Sequence, residues 1–114
     1  VMEKCNRVMS KCVVDTHNMR ANIERQNGLV MAEKVMIELV DAGIPRDEAH
    51  ELLRSASMTS ISEGSHLRDV CGNMDAITQR FDSAQLDAMF DPSNHIGVSI
   101  ELVDEAVAVA RSQI

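Results

Sequence analysis

The side chains able to do chemistry are few and scattered. They are four histidines (His17, His50, His66, His95), three cysteines (Cys5, Cys12, Cys71), an acidic run (Asp47, Glu48, Glu51) and Arg20. A metal site needs His or Cys ligands at short, repeated spacings, and none of these histidines pairs with another His or Cys in that way. The nearest approach, His66 with Cys71, has no supporting ligands. His50 lies in Asp-Glu-Ala-His-Glu and lacks the second histidine of His-Glu-x-x-His. No Gly-x-Ser-x-Gly, P-loop or Gly-x-Gly-x-x-Gly occurs. We therefore expect no metal, no organic cofactor and no catalytic residue within these positions. Asp47, Glu48 and Glu51 read as the solvated face of a helix. Arg20 is the one candidate for substrate binding: beside Asn22 and Glu24, it could hold an anion or a partner's carboxylate. Its simpler role is a pair with Glu24 one helical turn on. Cys5 and Cys12 would lie about 10 Å apart on one helix face at 1.5 Å per residue, too far for a disulfide. With Met9 they form an apolar helix seam, and all three thiols are expected to be reduced and buried.

The elements that hold these residues all carry a helical period. Val1, Met2, Cys5, Val8, Met9, Cys12 and Val13 recur at three- and four-residue steps, predicting a helix over 1–14. Asp15 can cap a helix over 16–26, with Met19, Asn22 and Ile23 inward. After Gly28 a helix over 29–42 would bury Leu29, Val30, Ala32, Val35, Met36, Leu39 and Val40. Gly43 suits a left-handed C-terminal cap. Pro45 suits the first turn of the next helix, which runs to about Ser62 with Ala49, Leu52, Leu53, Ala56 and Ile61 inward. Gly64 ends it. Ser65 and Asn73 are expected to cap two short helices reaching Cys71 and Arg80. Asp82 or Ser83 caps a third that ends near Phe90. Asp91-Pro-Ser-Asn is turn chemistry. Ser99 is expected to cap a last helix, 100–112, with Leu102, Val103, Ala106, Val107 and Ala110 on one side. No segment alternates long enough to be a strand.

Composition narrows the function classes. With 45% hydrophobic residues but only Phe81 and Phe90 as aromatics, Met, Val and Ala must fill the interior, which suits helix packing. The same shortage leaves no aromatic platform for stacking bases. A net charge of −7 gives no basic footprint for nucleic acid or for an anionic membrane surface. No apolar run reaches the roughly 18 residues of a membrane span. The expected location is the cytoplasm.

Two stretches go further. Met19-Arg-Ala-Asn-Ile-Glu-Arg-Gln-Asn-Gly-Leu-Val-Met-Ala-Glu-Lys-Val-Met-Ile-Glu-Leu-Val40 and Ala42-Gly-Ile-Pro-Arg-Asp-Glu-Ala-His-Glu-Leu-Leu-Arg-Ser-Ala-Ser-Met58 resemble the C-terminal domain of adenylosuccinate lyases, of the fumarase/aspartase superfamily. Phe90-Asp-Pro-Ser-Asn-His-Ile-Gly97 is similar to the family's Phe-Asp-Pro-x-x-Tyr-Leu-Gly loop. The likeness runs over roughly 8–107. It departs where Ile23-Glu-Arg-Gln-Asn replaces a commoner Leu-Glu-x-Thr-x, where Ser57 stands for Ala, and where His95 stands for Tyr. It implies an all-α chain: residues 1–14 as the tail of a long central-bundle helix, and 15–114 as a compact multi-helix C-terminal lyase domain. It also implies a cytosolic homotetramer of purine biosynthesis that releases fumarate by β-elimination from adenylosuccinate, giving AMP, and from the succinyl-carboxamide ribotide. Its partners would be the rest of the lyase chain, its tetramer mates and the purine nucleotide. The family's catalytic Ser, in a Ser-Ser-x-Met-Pro-x-Lys-x-Asn loop, and its acidic His have no counterpart here. Ser55 to Ser62 lacks the Pro and Lys of that loop. The 114 residues alone are thus expected to be inactive. The alternatives are a sister superfamily lyase or cycloisomerase, and a free-standing helical interaction module with no membrane or nucleic-acid partner.

Overall fold

Helix ends in this chain are set by caps, and the caps divide it into eight α-helices with no strand. The computed structural model describes all of residues 1–114. The helices are α1 (Met2–Met9), α2 (Thr16–Glu24), α3 (Ala32–Asp41), α4 (Arg46–Glu63), α5 (Leu67–Gly72), α6 (Asp75–Thr78), α7 (Ser83–Phe90) and α8 (Ser99–Ser112). Single 3-10 turns precede α3 (Leu29–Met31) and follow α7 (Pro92–His95). The all-α class is as the sequence predicts. No helix is long and apolar enough to cross a membrane.

Several caps follow directly from side-chain chemistry. The Asp15 carboxylate accepts from the Asn18 N–H at 2.9 Å and opens α2. Asp82 and Gln85 form a reciprocal capping box at the start of α7. Gly64 closes α4 in the left-handed conformation.

Other boundaries differ from expectation. Helix α1 stops at Met9 instead of running to 14, because nothing packs on it and the Ser10 hydroxyl turns back to the Arg7 carbonyl. Helix α2 ends at Glu24, not 26. The segment after Gly28 is a 3-10 turn before it becomes α-helix, which rotates Met31 inward and leaves Val30 exposed. Pro45 is the N-cap of α4, one residue before the helix. His66, not Ser65, caps α5 by accepting the Arg68 N–H on Nδ1. Met74 and Val98 occupy the N-cap positions expected for Asn73 and Ser99.

The core is a single cluster built from the middle of the chain. Helix α3 gives it Val35 and Leu39, α4 gives Ala49, Leu53 and Ala56, α5 gives Leu67 and Cys71, and α7 gives Leu86 and Met89. Burying each larger aliphatic side chain is worth roughly 1.5–3 kcal/mol. Along α4 the inward stripe is completed by Ser60, whose hydroxyl donates to the Ser65 carbonyl at 2.7 Å, so Ile61 turns to solvent.

Neither end of the chain joins this core. Met19, Asn22 and Ile23 of α2 are exposed, as are Leu102, Val103, Ala106, Val107 and Ala110 of α8. The stripes expected to face inward have nothing to face. The molecule is therefore extended, 57 × 29 × 24 Å with a radius of gyration of 19.3 Å. A compact chain of this length would have about 13 Å.

Candidate functional site

Arg20 lies on the exposed side of α2, where its Nε donates to Glu24 Oε1 at 3.1 Å. Both side chains are more than half exposed, so the pair contributes little to stability. The pair borders a cleft of about 190 Å³ that also includes Gly28, Met31, His66, Phe90 and Pro92. This cleft is where α2, the turn before α3, the α4–α5 connection and the end of α7 come together.

Backbone conformation dictates how it is closed. Asn27 and Gly28 both have positive φ, 49° and 78°. The Asn27 carbonyl accepts the Leu67 N–H at 2.8 Å, stitching the turn to the start of α5. The His66 ring then lies over Gly28, so close that a Cβ added there would sit 2.5 Å from its Cε1. His66 also meets Phe90 in a T-shaped arrangement, with ring centroids 5.8 Å apart. His66 thus locks three elements together, a role no local spacing reveals. Arg68 does the same between α5 and α7: Nε donates to Asp87 at 2.7 Å and Nη2 to the Ser83 hydroxyl at 2.6 Å.

The loop after α7 is a stop device of the same kind. The Asp91 carboxylate accepts from the Ser93 hydroxyl and N–H, which holds its carboxyl below the usual range, with help from the nearby Arg20 charge. The Asn94 side chain donates to the Ala88 carbonyl at 2.9 Å, and His95 Nε2 lies 2.8 Å from the Met89 carbonyl. These two side chains meet carbonyls that the end of α7 leaves open. His95 is therefore engaged in structure.

The remaining candidates stay apart. His17 and His50 are exposed. His50 borders a cleft of about 380 Å³ between α3 and α4, with Glu33, Arg54 and Ser57 above a floor of Ala32, Met36 and Leu53. Glu51 bonds Arg54 at 2.6 Å, and that hydrogen bond lowers the pKa of Glu51 and raises that of Arg54. Cys5 and Cys12 are exposed, against the expectation of buried thiols, because α1 has no packing partner. Cys71 is buried, and burial pushes its thiol up to about 11. No group of three or more His, Cys, Asp or Glu side chains could hold a metal ion.

Glu51 and Asp91 are made stronger acids, Arg54 a stronger base and Cys71 a weaker acid. Every one of these moves is away from neutrality.

The family described as the adenylosuccinate lyase C-terminus matches residues 28–106, which takes in the whole buried core. The chain is 30% identical over 105 residues to an adenylosuccinate lyase of Methanocaldococcus jannaschii, covering 92% of this chain and 23% of that protein. It is 34% identical over 107 residues to the adenylosuccinate lyase of Archaeoglobus fulgidus, covering 94% and 24%. A 3-carboxy-cis,cis-muconate cycloisomerase of Acinetobacter baylyi is 32% identical over 112 residues, covering 98% and 25%. Among solved structures, beta-carboxy-cis,cis-muconate cycloisomerase from Acinetobacter calcoaceticus sp. ADP1 superposes with a TM-score of 0.81 at 34% identity, covering 89% of this chain and 23% of that one. The chain spans about a quarter of the length of the relatives it matches.

Proposed function

The chain belongs to the adenylosuccinate lyase C-terminus family, and from that premise we propose that it serves as the C-terminal helical domain of an adenylosuccinate lyase. Residues 1–14 act as the tail of a bundle helix and residues 15–114 as the domain. The complete enzyme removes a proton beside a carboxylate and breaks the C–N bond to nitrogen. An acid protonates the departing nitrogen, and fumarate and AMP leave. The succinyl-carboxamide ribotide undergoes the same elimination. The negative charge that builds on the carboxylate during the reaction needs fixed donors. In our reading those donors, the base and the acid all lie outside these 114 residues, in a cytoplasmic homotetramer. This chain supplies a rigid cap to that assembly, and Arg20 serves the helix pair with Glu24.

The observation that carries this reading is the extent of the family match, 28–106, over the whole packed core. A second reading is favoured by one observation: a solved muconate cycloisomerase superposes on this chain with a TM-score of 0.81. The two are separated by assaying the complete polypeptide against both substrate classes. Fumarate release from adenylosuccinate, with no lactone formed from carboxymuconate, is the expected result. Lactone formation without fumarate release would transfer the domain to the cycloisomerases.

A further inference from the structure

The histidines of this chain differ in what a proton would do to them, and the hydrogen bonds they make decide it. His17 and His50 are exposed. His95 points Nε2 at the Met89 carbonyl, 2.8 Å away. A ring nitrogen that faces a carbonyl must donate, and it carries its hydrogen in the neutral ring and in the imidazolium alike. Gaining a proton leaves that bond intact. His66 is the reverse case. Its Nδ1 accepts the Arg68 N–H at 3.1 Å as the N-cap of α5. A ring nitrogen accepts only while it has no hydrogen, so this cap exists only in the neutral ring with the hydrogen on Nε2. The imidazolium would set one N–H against another, beside the positive end of the helix.

The ring cannot turn away from that clash without breaking other contacts. A Cβ at Gly28 would lie 2.5 Å from Cε1 and 3.0 Å from both ring nitrogens, so the ring covers the Gly28 backbone. Its T-shaped contact with Phe90 ties it to the end of α7. The next residue, Leu67, is buried, and its N–H bonds the Asn27 carbonyl at 2.8 Å. A ring that swings out gives up Gly28 and Phe90 together and strips the cover from the turn that Asn27 and Leu67 join.

Few charged groups face the ring. From α2, Arg20 and Glu24 line the same cleft and offset each other at 3.1 Å. On α5, the Arg68 guanidinium is committed to Asp87 and Ser83. Asp69 faces a different cleft, between α4 and α5, together with Glu63. Beyond α7, Asp91 is held by Ser93. The turn before α3 brings Gly28, Val30 and Met31 to the cleft, none of them titratable. No carboxylate hydrogen-bonds the ring, so the capping bond decides which form the closed junction keeps.

We propose that His66 is a pH-sensitive latch: neutral, it closes the junction of α2, α5 and the end of α7, and on protonation it lets that junction open. The sign follows from linkage. The open form takes up a proton that the closed form excludes, so closure strengthens as pH rises and weakens as pH falls through the histidine range. The latch is independent of the lyase assignment, since every group in it belongs to this chain.

Hydrogen exchange followed residue by residue on the chain tests the latch. The amides of Leu67 and Arg68 report the junction, and those of the buried Leu39 and Leu53 report the core. From about pH 7.5 to about pH 5, protection corrected for the intrinsic pH dependence of exchange should fall about tenfold at Leu67 and Arg68, the scale of one lost capping bond, and hold at Leu39 and Leu53. His66→Asn supplies a capping oxygen that does not titrate in this range, so protection at Leu67 and Arg68 should become independent of pH. His95→Gln should keep the fall. In the unmodified protein, nitrogen NMR of the His66 ring should find its hydrogen on Nε2 alone at the higher pH. Protection at Leu67 and Arg68 that ignores pH overturns the proposal. So does a fall shared equally by Leu39 and Leu53, which is global acid unfolding. A fall that survives in His66→Asn, or one that vanishes in His95→Gln, overturns it as well. So does a hydrogen on Nδ1 at the higher pH, a result that needs no variant to fold.

Discussion

At the scale of single residues, the chemistry of this chain is defined by where its polar atoms are tied down. Cys71 shows it most clearly. Its thiol is buried, with a pKa raised from 9.0 to about 11 by desolvation. The folded state then holds its proton more tightly than the unfolded state does. The stability this confers is complete below pH 9 and is lost between pH 9 and pH 11, by roughly 2–3 kcal/mol at 1.36 kcal/mol per unit. Urea midpoints measured from pH 8 to pH 11 should fall more steeply for the native sequence than for Cys71→Ala, whose slope lacks this component. Thiol labelling gives a second check: Cys5 and Cys12 should react quickly in the folded protein and Cys71 only after denaturant is added. Three equally fast thiols would contradict the buried position. The sequence carried Arg20's pairing with Glu24 in its four-residue spacing. It carried no sign of His66 over Gly28 or of Arg68 between Ser83 and Asp87, since those partners are distant along the chain.

At the scale of elements, legibility tracks how local the cause is. Asp15, Gly43, Gly64 and Asp82 act within one turn of themselves, and each marks the helix boundary its residue type announces. His66, Met74 and Val98 are not cap residue types, and the neighbouring Ser65, Asn73 and Ser99 were the better sequence candidates. Packing and the Asn27–Leu67 hydrogen bond place α5 instead. Removing the capping box through Asp82→Ala should cost about 1 kcal/mol in thermal or chemical unfolding. The two turn glycines offer a sharper comparison. Gly43 has φ 91° with open space around its missing Cβ, so Gly43→Ala meets only backbone strain of about 1–2 kcal/mol. Gly28 has φ 78° and the His66 ring in the way, so Gly28→Ala must also displace that ring. It should destabilise by more than Gly43→Ala, and equal losses would mean that His66 is not fixed.

At the scale of the whole molecule, the helical class was legible from periodicity and from the near absence of aromatics, but the distribution of burial was not. Only 14 of 114 residues are buried, all between Gly28 and Met89, so the terminal stripes face solvent. A period of 3.6 says which side of a helix is apolar and nothing about whether a partner is present. Leu39→Ala, at the centre of the core, should therefore cost about 2–5 kcal/mol. Val103→Ala, on the unpartnered face of α8, should change the isolated chain by less than about 0.5 kcal/mol. Both are read from the same urea titration. The central claim is that these 114 residues position an enzyme's helices and leave the bond-breaking to residues elsewhere. Its most direct measurement is fumarate formation from adenylosuccinate by the purified 114-residue chain. The predicted rate is that of buffer at every protein concentration; a rate that grows in proportion to the chain would contradict the account.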